Sequence, residues 1–499
     1  MGLRTWLIKT LIASKQRRGY DAGRMNRLTA DFLGSSGSAD AIIRGNIAAV
    51  RKRTRELCRN NPYGAQARRT TVVNVVGPTG IRLRSRIFKA DGETLDERRN
   101  KIVDSEWKAW QRPDSCHVGG KLSFNGIEVM SVGSLPDTGE ILIRMVRRRF
   151  GRSRVPLALE LIEADQLDEA YTGQSDRPGH QWRLGVESDE WGRPTRYAIL
   201  KRHPGDAELR THAANEKHEF VDAQDIIHFF IPERVGQSRG MPGLTAVATT
   251  AHSLGKYEEA HWTRKRVQAA SLGWITTPEG ELPGDKTVNG QRLFDTEPGS
   301  YNVLDPGQAV IPPDFGPDDG QYDNVVRNLL RRFAAGFGCS YETLSRDFSQ
   351  TNYSSSRLSI LEDRDHWRLL QSMLIQQFHQ RVYEAWFEAA VLSGALPVQT
   401  FGDFWANPDR YLAPRWQART WAWVDPGKEL DAIKTARELQ LDTEENQIQD
   451  YSGEQFDEVM AQIRKEQDKR IALGLNPNPS LTDSQGSSNA SPTRPSQGG

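Results

Sequence analysis

From Tyr353 to Ser393 the chain runs for 41 residues without a proline or a glycine. Apolar residues recur there at helical spacing: Leu358, Leu361, Leu369, Met373, Phe378, Val382, Trp386 and Ala390. The pattern predicts one helix of 41 residues, roughly 60 Å long, whereas an average helix has only ~11 residues. The heptads are irregular, which argues against a coiled coil. A helix this long needs support from outside a small core, so we expect it to act as a spoke in an assembly.

Two further helices are predicted upstream of this one. Pro242 suits a first helical turn and the next proline is Pro278, which allows a helix from Gly243 to about Ala270. Apolar residues spaced three and four apart mark a second helix from Gln321 to Phe337. The intervening stretch from Leu272 to Asp319 is rich in Gly, Pro and Asp, with short strand-like pieces such as Tyr301 to Leu304, so we expect a loop-rich excursion.

The first half of the chain reads as strand-rich, interrupted by a short helix from Leu95 to Trp110. Thr70 to Val76 and Ile81 to Phe88 flank Gly77-Pro78-Thr79-Gly80 and predict a β-hairpin. The other predicted strands are Glu140 to Val146, Leu157 to Glu163, Gln181 to Glu187, Arg196 to Arg202 and Asp225 to Ile231. Long helices do not alternate with these strands, so the fold class is α+β and not a doubly wound parallel sheet.

Charge is balanced over the whole chain, with 66 Lys and Arg against 65 Asp and Glu. Any contact with nucleic acid must therefore be local. Arg44 to Arg69 predicts a basic amphipathic helix ending near Asn60-Asn61-Pro62, whose basic face we expect to be solvated or packed rather than bound to DNA. A second basic run contains Arg144, Arg147, Arg148, Arg149, Arg152 and Arg154. Its partner could be DNA or an acidic face of a neighbouring subunit.

The remaining composition excludes several classes of protein. Three widely spaced cysteines, Cys58, Cys116 and Cys339, favour neither a disulfide framework nor a zinc cluster, and fit a reducing cytoplasm. No apolar run approaches a membrane span, and the first 18 residues read as an amphipathic helix without a cleavage site. A charged helical region follows Asp425-Pro426 and reaches about Arg470. Residues 476–499 are polar and small, and we expect them to be disordered.

One motif has the form of a catalytic element. Gly236-Gln237-Ser238-Arg239-Gly240 matches G-x-S-x-G between a strand and a helix, so a serine hydrolase using Ser238 is an alternative. The preceding strands look like meanders, whereas a nucleophile elbow needs a parallel sheet, which disfavours this reading. The chain contains no P-loop motif, and its His and Cys residues lack metal-site spacing, so we expect no cofactor and no metal.

A series of short motifs in one order resembles the lambda-like family of tailed-bacteriophage portal proteins. The similarity covers roughly residues 40–440, and no single motif is specific alone. The motifs are Arg55-Glu56-Leu57-Cys58-Arg59-Asn60-Asn61-Pro62-Tyr63, Leu161-Ile162-Glu163-Ala164-Asp165, Gly185-Val186-Glu187-Ser188-Asp189, Gly192-Arg193-Pro194, His203-Pro204-Gly205-Asp206, His228-Phe229-Phe230, Arg234-Val235-Gly236-Gln237-Ser238-Arg239-Gly240, Asn352-Tyr353-Ser354-Ser355-Ser356-Arg357 and Trp423-Val424-Asp425-Pro426.

The resemblance implies a portal fold and a dodecameric ring that is not an enzyme. The implied parts are an N-terminal arm (1–39), a wing (40–241), a first stem helix (242–271), a clip (272–319), a second stem helix (320–338), a tunnel-loop region (339–353), a long wing helix (354–393), a wing return (394–426), a crown (427–475) and a disordered tail (476–499). The ring would sit at the portal vertex of the virion, and in the host cytoplasm during assembly. Its implied partners are the terminase large subunit, the major capsid and scaffold proteins, the head-completion and tail-adaptor proteins, and double-stranded DNA without sequence specificity.

Physical reasoning then selects candidate channel residues. A DNA conduit must not bind phosphates tightly, since 6–10 phosphate contacts already change affinity ~10³ to 10⁵-fold with salt. The implied tunnel loop contains short neutral side chains, Ser349, Gln350, Thr351 and Asn352, and is the candidate narrowest point. Arg327 and Arg331 face DNA or, as we favour, acids of a neighbouring stem; Arg148 and Arg149 contact DNA or the next subunit. A monomer that binds DNA without sequence preference remains a further alternative.

Overall fold

The computed structural model describes residues 34, 36–92, 94–206, 217–270, 274–276, 287–288, 291–292, 309–311, 321–349, 352–421, 426–452 and 456–476. The chain divides into two compact units, Met1–Arg419 and Thr420–Gly499, each of which is described by itself. Within the described residues, no helix has both the length and the apolar character needed to cross a bilayer.

The described part of the first unit begins with helices. These are α1 (Ala39–Arg44), α2 (Ile47–Asn60), α3 (Pro62–Val75), α4 (Glu97–Trp110), α5 (Pro113–Cys116) and α6 (Phe124–Asp137), with the short strand β1 (Arg82–Arg84) between α3 and α4. The helix predicted over Leu95 to Trp110 is thus confirmed as α4. Helix α6 was not predicted, because Gly126, Gly133 and Pro136 within it weaken the helical pattern.

The hairpin predicted over Thr70 to Phe88 is wrong. Asn61 accepts hydrogen bonds from the amides of Tyr63 and Gly64, and Pro62 fills the first turn, so a new helix starts where the basic helix α2 stops. This helix, α3, continues through the β-branched run to Val75 and buries Thr70, Thr71 and Val75. Burial against other helices outweighs the β propensity of the run.

Two antiparallel sheets follow the helices. The strands are β2 (Glu140–Val146), β3 (Ala158–Ile162), β4 (Gly173–Gln174), β5 (Gln181–Arg183), β6 (Val186–Ser188), β7 (Pro194–Leu200), β8 (His218–Asp222) and β9 (Ile226–Phe230). One sheet has the order β3-β2-β9 and the other β4-β5-β6-β7-β8. The strand predicted over Gln181 to Glu187 is two strands, because Leu184 and Gly185 turn the chain with φ of 50° and 87°. The mixed, non-alternating order gives the predicted α+β class.

Both predicted stem helices are present. They are α7 (Ala248–Ala270) and α8 (Tyr322–Phe337), and between them lie β10 (Trp274–Thr276), β11 (Thr287–Val288), β12 (Gln291–Arg292) and β13 (Ala309–Ile311). Strand β10 pairs with β13, and β11 pairs with β12, both antiparallel. The strand-like piece Tyr301 to Leu304 lies outside the described residues.

The long helix predicted from Tyr353 to Ser393 is confirmed. After the short helix α9 (Tyr341–Ser345), α10 (Tyr353–Leu374) passes through one π-helical segment, Ile375–His379, into α11 (Gln380–Leu392). The helix then packs Tyr383 and Trp386 against Trp107 of α4, and Phe378 against Phe124 of α6, in an aromatic core. The first unit ends with α12 (Val398–Phe401) and β14 (Arg415–Gln417), which pairs with β1.

The described residues of the second unit form three helices. These are α13 (Pro426–Glu438), α14 (Glu444–Ser452) and α15 (Phe456–Ala472), in agreement with the charged helical region predicted up to Arg470. Residues 477–499, for which we predict disorder, lie outside the described residues.

Candidate nucleic-acid interface

The base of the α7–α8 pair is a compact apolar cluster. Leu244, Val247 and Leu254 pack against Leu330 and Phe333, and all five side chains are buried. Gly338 ends α8 in the left-handed conformation, with φ of 86°, which a glycine adopts without strain. The chain can therefore reverse immediately after α8 and enter the segment that contains the predicted tunnel loop.

That segment is fixed at its start by one carboxylate. Asp363, a buried residue of α10, accepts hydrogen bonds from the Ser340 amide (2.8 Å), the Ser340 hydroxyl (2.8 Å) and the Thr343 hydroxyl (2.6 Å). Tyr353 begins the same helix at the other end of the segment. Both ends of the predicted loop are thus attached to α10.

Asp347 organises the described part of the loop. Its carboxylate accepts hydrogen bonds from the Tyr341 hydroxyl (2.9 Å) and the Ser349 amide (3.0 Å). The hydrogen bonds from Ser349 contribute most, and the hydrogen bond from Tyr341 and the positive charge of Arg327 add to them. Together they lower the pKa of Asp347 to about 2. Ser349 and Asn352 are exposed, whereas Gln350 and Thr351 lie outside the described residues.

The two candidate stem arginines lie beside this segment. The half-buried Arg327 acts electrostatically on Asp347, and the guanidinium of the exposed Arg331 lies 5.7 Å from the centre of the Tyr341 ring. Both therefore project from α8 towards α9 and the loop. This placement brings three of the predicted residues, Arg327, Arg331 and Ser349, to one region of the first unit.

The Arg-rich run is only partly neutralised within the chain. Arg144 pairs with Glu219 at 2.7 Å, Arg147 with Asp225 at 3.3 Å, and Arg154 with Glu106 at 2.8 Å. Arg148 and Arg149 are exposed beyond the end of β2, and neither forms an ion pair with any residue that the structure describes. Arg152 is likewise exposed and forms no ion pair with a described residue, so these three arginines are the members of the run most accessible to an outside partner.

Ser238 has the environment of a structural residue. Its amide (2.8 Å) and its hydroxyl (2.7 Å) both donate to the carboxylate of Asp40 in the first turn of α1. A catalytic serine needs a base that can take its proton and then release it to a leaving group, usually a histidine. No histidine hydrogen-bonds to Ser238 among the described residues, and the sheet that precedes it is antiparallel. The serine hydrolase alternative therefore gains no support from this geometry.

The next residue of the same motif, Arg239, belongs to a buried ionic cluster that sequence reasoning missed. The fully buried Arg239 donates to Glu140 at 2.8 Å and to the carbonyls of Ala164, Leu167 and Leu184 at 2.8–3.1 Å. Arg51 also pairs with Glu140, at 2.9 Å. The cluster joins α2, the three-stranded sheet and the loop before α7.

Glu140 is the centre of this cluster. Its second oxygen accepts hydrogen bonds from His228 Nε2 (2.9 Å) and the Gly240 amide (2.7 Å). Burial alone would raise the pKa of Glu140, but the charges of Arg239, His228 and Arg51 hold that pKa well below its ordinary value. The carboxylate is thus ionised in the folded protein and fixes the entry into α7.

A possible metal-binding group occurs near the same cluster. Glu163, Asp165 and His203 bring their donor atoms within 4.8 Å of one another. However, Arg55 and Arg51 already pair with Asp165. Burial alone would raise the pKa of Asp165, but the hydrogen bond from Arg55 and the charges of both arginines lower that pKa. Because both arginines already neutralise the charge of Asp165, the group fits an ion-pair network better than a metal site.

Comparison with known proteins decides the family. The model described as phage portal protein, lambda family, matches residues 25–371. The chain belongs to the lambda family of phage portal proteins. The probable portal protein of Halomonas phage phiHAP-1 is 31% identical over 471 residues, covering 93% of this chain and 88% of that protein. Portal protein B of Escherichia phage lambda is 23% identical over 488 residues, covering 89% and 87%.

Solved structures give weaker likenesses to this portal-family chain. A chain in the neck of an empty gene transfer agent particle is 14% identical with a TM-score of 0.41, covering 89% of this chain and 95% of its own. An HK97-family phage portal protein from Corynebacterium diphtheriae is 11% identical with a TM-score of 0.32, covering 76% and 97%. The assignment to the family therefore rests on the sequence matches alone.

Proposed function

We propose that this chain forms a ring, dodecameric as the resemblance implies, at a unique capsid vertex and conducts double-stranded DNA during packaging and ejection. The observation that carries the proposal is the family match over residues 25–371. The α7–α8 pair supports it, because two helices that share a buried base and lead into a loop can line a passage. The strand pairs between them form a candidate docking surface for the terminase large subunit and the head-tail connector proteins. The capsid and scaffold proteins would contact the outside of the ring.

The ring is tested on purified full-length protein. We expect negative-stain images to show rings with a central hole, and native mass measurement to give a multiple of the 56.2 kDa chain mass. A compact monomer at all concentrations that also binds duplex DNA tightly would instead support the sequence-independent DNA-binding alternative. A monomer with ester-hydrolase activity that Ser238→Ala abolishes would support the hydrolase.

The predicted loop, Ser349 to Asn352, is proposed as the narrowest point of the passage. Duplex DNA carries one charge per ~1.7 Å, so a passage about 50 Å long faces roughly 30 phosphates. Cationic side chains repeated around a ring would retain this DNA, whereas neutral hydroxyl and amide groups exchange readily with water. The exposure of Ser349 and Asn352 agrees with this role.

Ser349→Arg tests the position of the loop, with Ser349→Ala as the matched control. One added cation per subunit raises the number of phosphates contacted, and log K falls with log salt with a slope of about −0.9 per contact. We expect rings of Ser349→Arg to bind linear duplex DNA with a markedly steeper salt dependence than rings of Ser349→Ala or wild type. Equal slopes for all three proteins would remove the loop from the DNA path.

Arg148 and Arg149 are proposed to contact packaged DNA or the adjacent subunit. Comparing the salt dependence of DNA binding for wild type and Arg148→Ala/Arg149→Ala separates these choices. A shallower slope in the variant indicates a DNA contact. An unchanged slope with weaker ring formation indicates a subunit contact.

Arg327 and Arg331, which lie beside α9, are proposed to pair with acids of a neighbouring stem. Rings of unpaired arginine in the passage would contradict the proposal that the passage is neutral.

A further inference from the structure

The second unit has almost no interior of its own. Among its described residues, 420–421, 426–452 and 456–476, none whose exposure is assigned is buried. Large aliphatic side chains are instead exposed on and beside its three helices: Leu430, Leu439, Leu441, Ile463, Ile471, Leu473 and Leu475. A soluble monomer rarely exposes so many aliphatic residues close together in sequence, and such surfaces are typical of protein interfaces.

Short helices without a core do not persist alone. Helices α13, α14 and α15 contain 13, 9 and 17 residues, close to or below the ~12–15 residues at which isolated helices become marginal. The whole unit spans the 80 residues Thr420–Gly499, and units of about 70–80 residues or fewer often rely on disulfides, metal ions or oligomerisation for stability. All three cysteines, Cys58, Cys116 and Cys339, lie outside this unit, which excludes an internal disulfide. Oligomerisation then supplies the missing burial.

The distribution of charge indicates which partner covers the unit. Every charged residue from Glu438 to Glu458 is acidic. The C-terminal half of α15 is predominantly basic, with Arg464, Lys465, Lys469 and Arg470 against Glu466 and Asp468. An acidic surface and a basic surface at different places on one unit are complementary between two copies. A contact of this kind is head-to-tail, and head-to-tail contacts form a ring when the rotation from one copy to the next closes.

We propose that α13–α15 bind the same unit of the adjacent copy, with the acidic residues from Glu438 to Glu445 of one copy against the basic end of α15 in the next. This inference rests on the proposed ring and adds to it a specific subunit contact. The exposed aliphatic residues become buried in that contact. The helices of this unit are therefore stable in the assembly and marginal in the free chain.

Two charge-reversal variants of the full-length protein test the contact. Glu438→Lys/Glu445→Lys makes the acidic stretch basic at two exposed positions, and Arg464→Glu/Lys469→Glu does the reverse on α15. Amide hydrogen exchange over residues 426–472 is measured by mass spectrometry in wild-type rings, wild-type monomer and each variant. We expect exchange at least about tenfold faster in the monomer and in each variant than in wild-type rings, since tenfold corresponds to ~1.4 kcal/mol. Glu190→Lys, an exposed reversal in the first unit, is the control and should match wild type.

A 1:1 mixture of the two variants separates contacts between chains from contacts within one chain. Neighbouring copies in the mixture again present opposite charges, so protection should recover. Protection that stays lost in the mixture but returns when all four reversals share one chain would show pairing within a chain and overturn the inference. Equal exchange in wild-type rings and monomer would also overturn it while leaving the proposed function standing. Failure of the wild type to form rings would overturn the proposed function itself, and the inference with it.

Discussion

Replacing Arg239 tests the structural role of the buried ionic cluster. Arg239→Met keeps much of the volume but leaves the ionised Glu140 with one fewer cation and removes donors from the carbonyls of Ala164, Leu167 and Leu184. Breaking a buried pair by removing one partner costs about 3–5 kcal/mol, because an uncompensated charge stays buried. We therefore expect the local opening free energy of β2 to fall by about 3–5 kcal/mol.

Amide hydrogen exchange of β2 and β9 measures this change strand by strand, which suits a chain with two units better than a single unfolding midpoint. A loss of 3–5 kcal/mol corresponds to exchange roughly 10² to 10³·⁵ times faster. Arg234→Met, in the same motif but exposed, is the matched control and should change exchange by less than about threefold. A change of under about 1 kcal/mol in Arg239→Met would refute the assignment of Arg239 as the main partner of Glu140.

The same cluster makes stability depend on pH. Since the folded-state pKa of Glu140 lies below its ordinary value of 4.5, this carboxylate stabilises the fold fully above about pH 4.5. The stabilisation is lost as pH falls from there towards the low folded-state pKa. We expect acid to accelerate β2 exchange, after correction for intrinsic rates, in wild type and to do so much less in Glu140→Gln. Equal acid sensitivity in both proteins would contradict this assignment.

Three further predictions concern the backbone, the stem base and the loop. Gly139→Ala should prevent folding, because a Cβ at this position would lie 2.2 Å from a backbone atom. Gly92 also has a positive φ but has open space around it, so Gly92→Ala should lower the free energy of unfolding by only about 1–2 kcal/mol. Solubility and unfolding assays compare the two variants. Phe333→Ala should lower the opening free energy of α8 by about 3–5 kcal/mol, measured by amide exchange. The Ser349 amide should keep its protection until pH falls below about 3.8 and lose it towards pH 2, since the depressed pKa of Asp347 keeps the acceptor ionised. The side-chain oxygen of Asp347→Asn still accepts this hydrogen bond but does not titrate, so an equal loss of protection in acid in that variant would contradict the assignment.

The elements that sequence alone predicted well are those defined by local pattern. Tyr353 to Ser393 lacks residues that break helices and repeats its apolar residues at helical spacing, so its length was readable directly. The β-branched run Thr70 to Val76 misled because its state depends on burial against distant helices. There the signal that would have corrected the prediction was present, since Asn61-Pro62 is a good helix start as well as a stop.

The buried polar residues were not predictable in the same way. Glu140 meets Arg51 and Arg239 across separations of 89 and 99 residues, and Asp363 meets Ser340 across 23. No periodicity links such positions, and each residue looks like an ordinary surface charge in the sequence. The motif around Ser238 did mark a segment that contributes to the buried cluster. The residues of the motif that contact Glu140 are Arg239 and Gly240, and not the serine.

Because both ends of the predicted tunnel loop are attached to α10, the distance that the loop can extend from this helix is limited. Between Ser345 and Tyr353 the chain spans eight peptide units, at most roughly 28 Å when fully extended. With both ends held, its tip can advance no more than about 14 Å from the helix. If the role proposed for this loop is correct, no subunit can change the width of the passage by more than that distance while every helix stays in place.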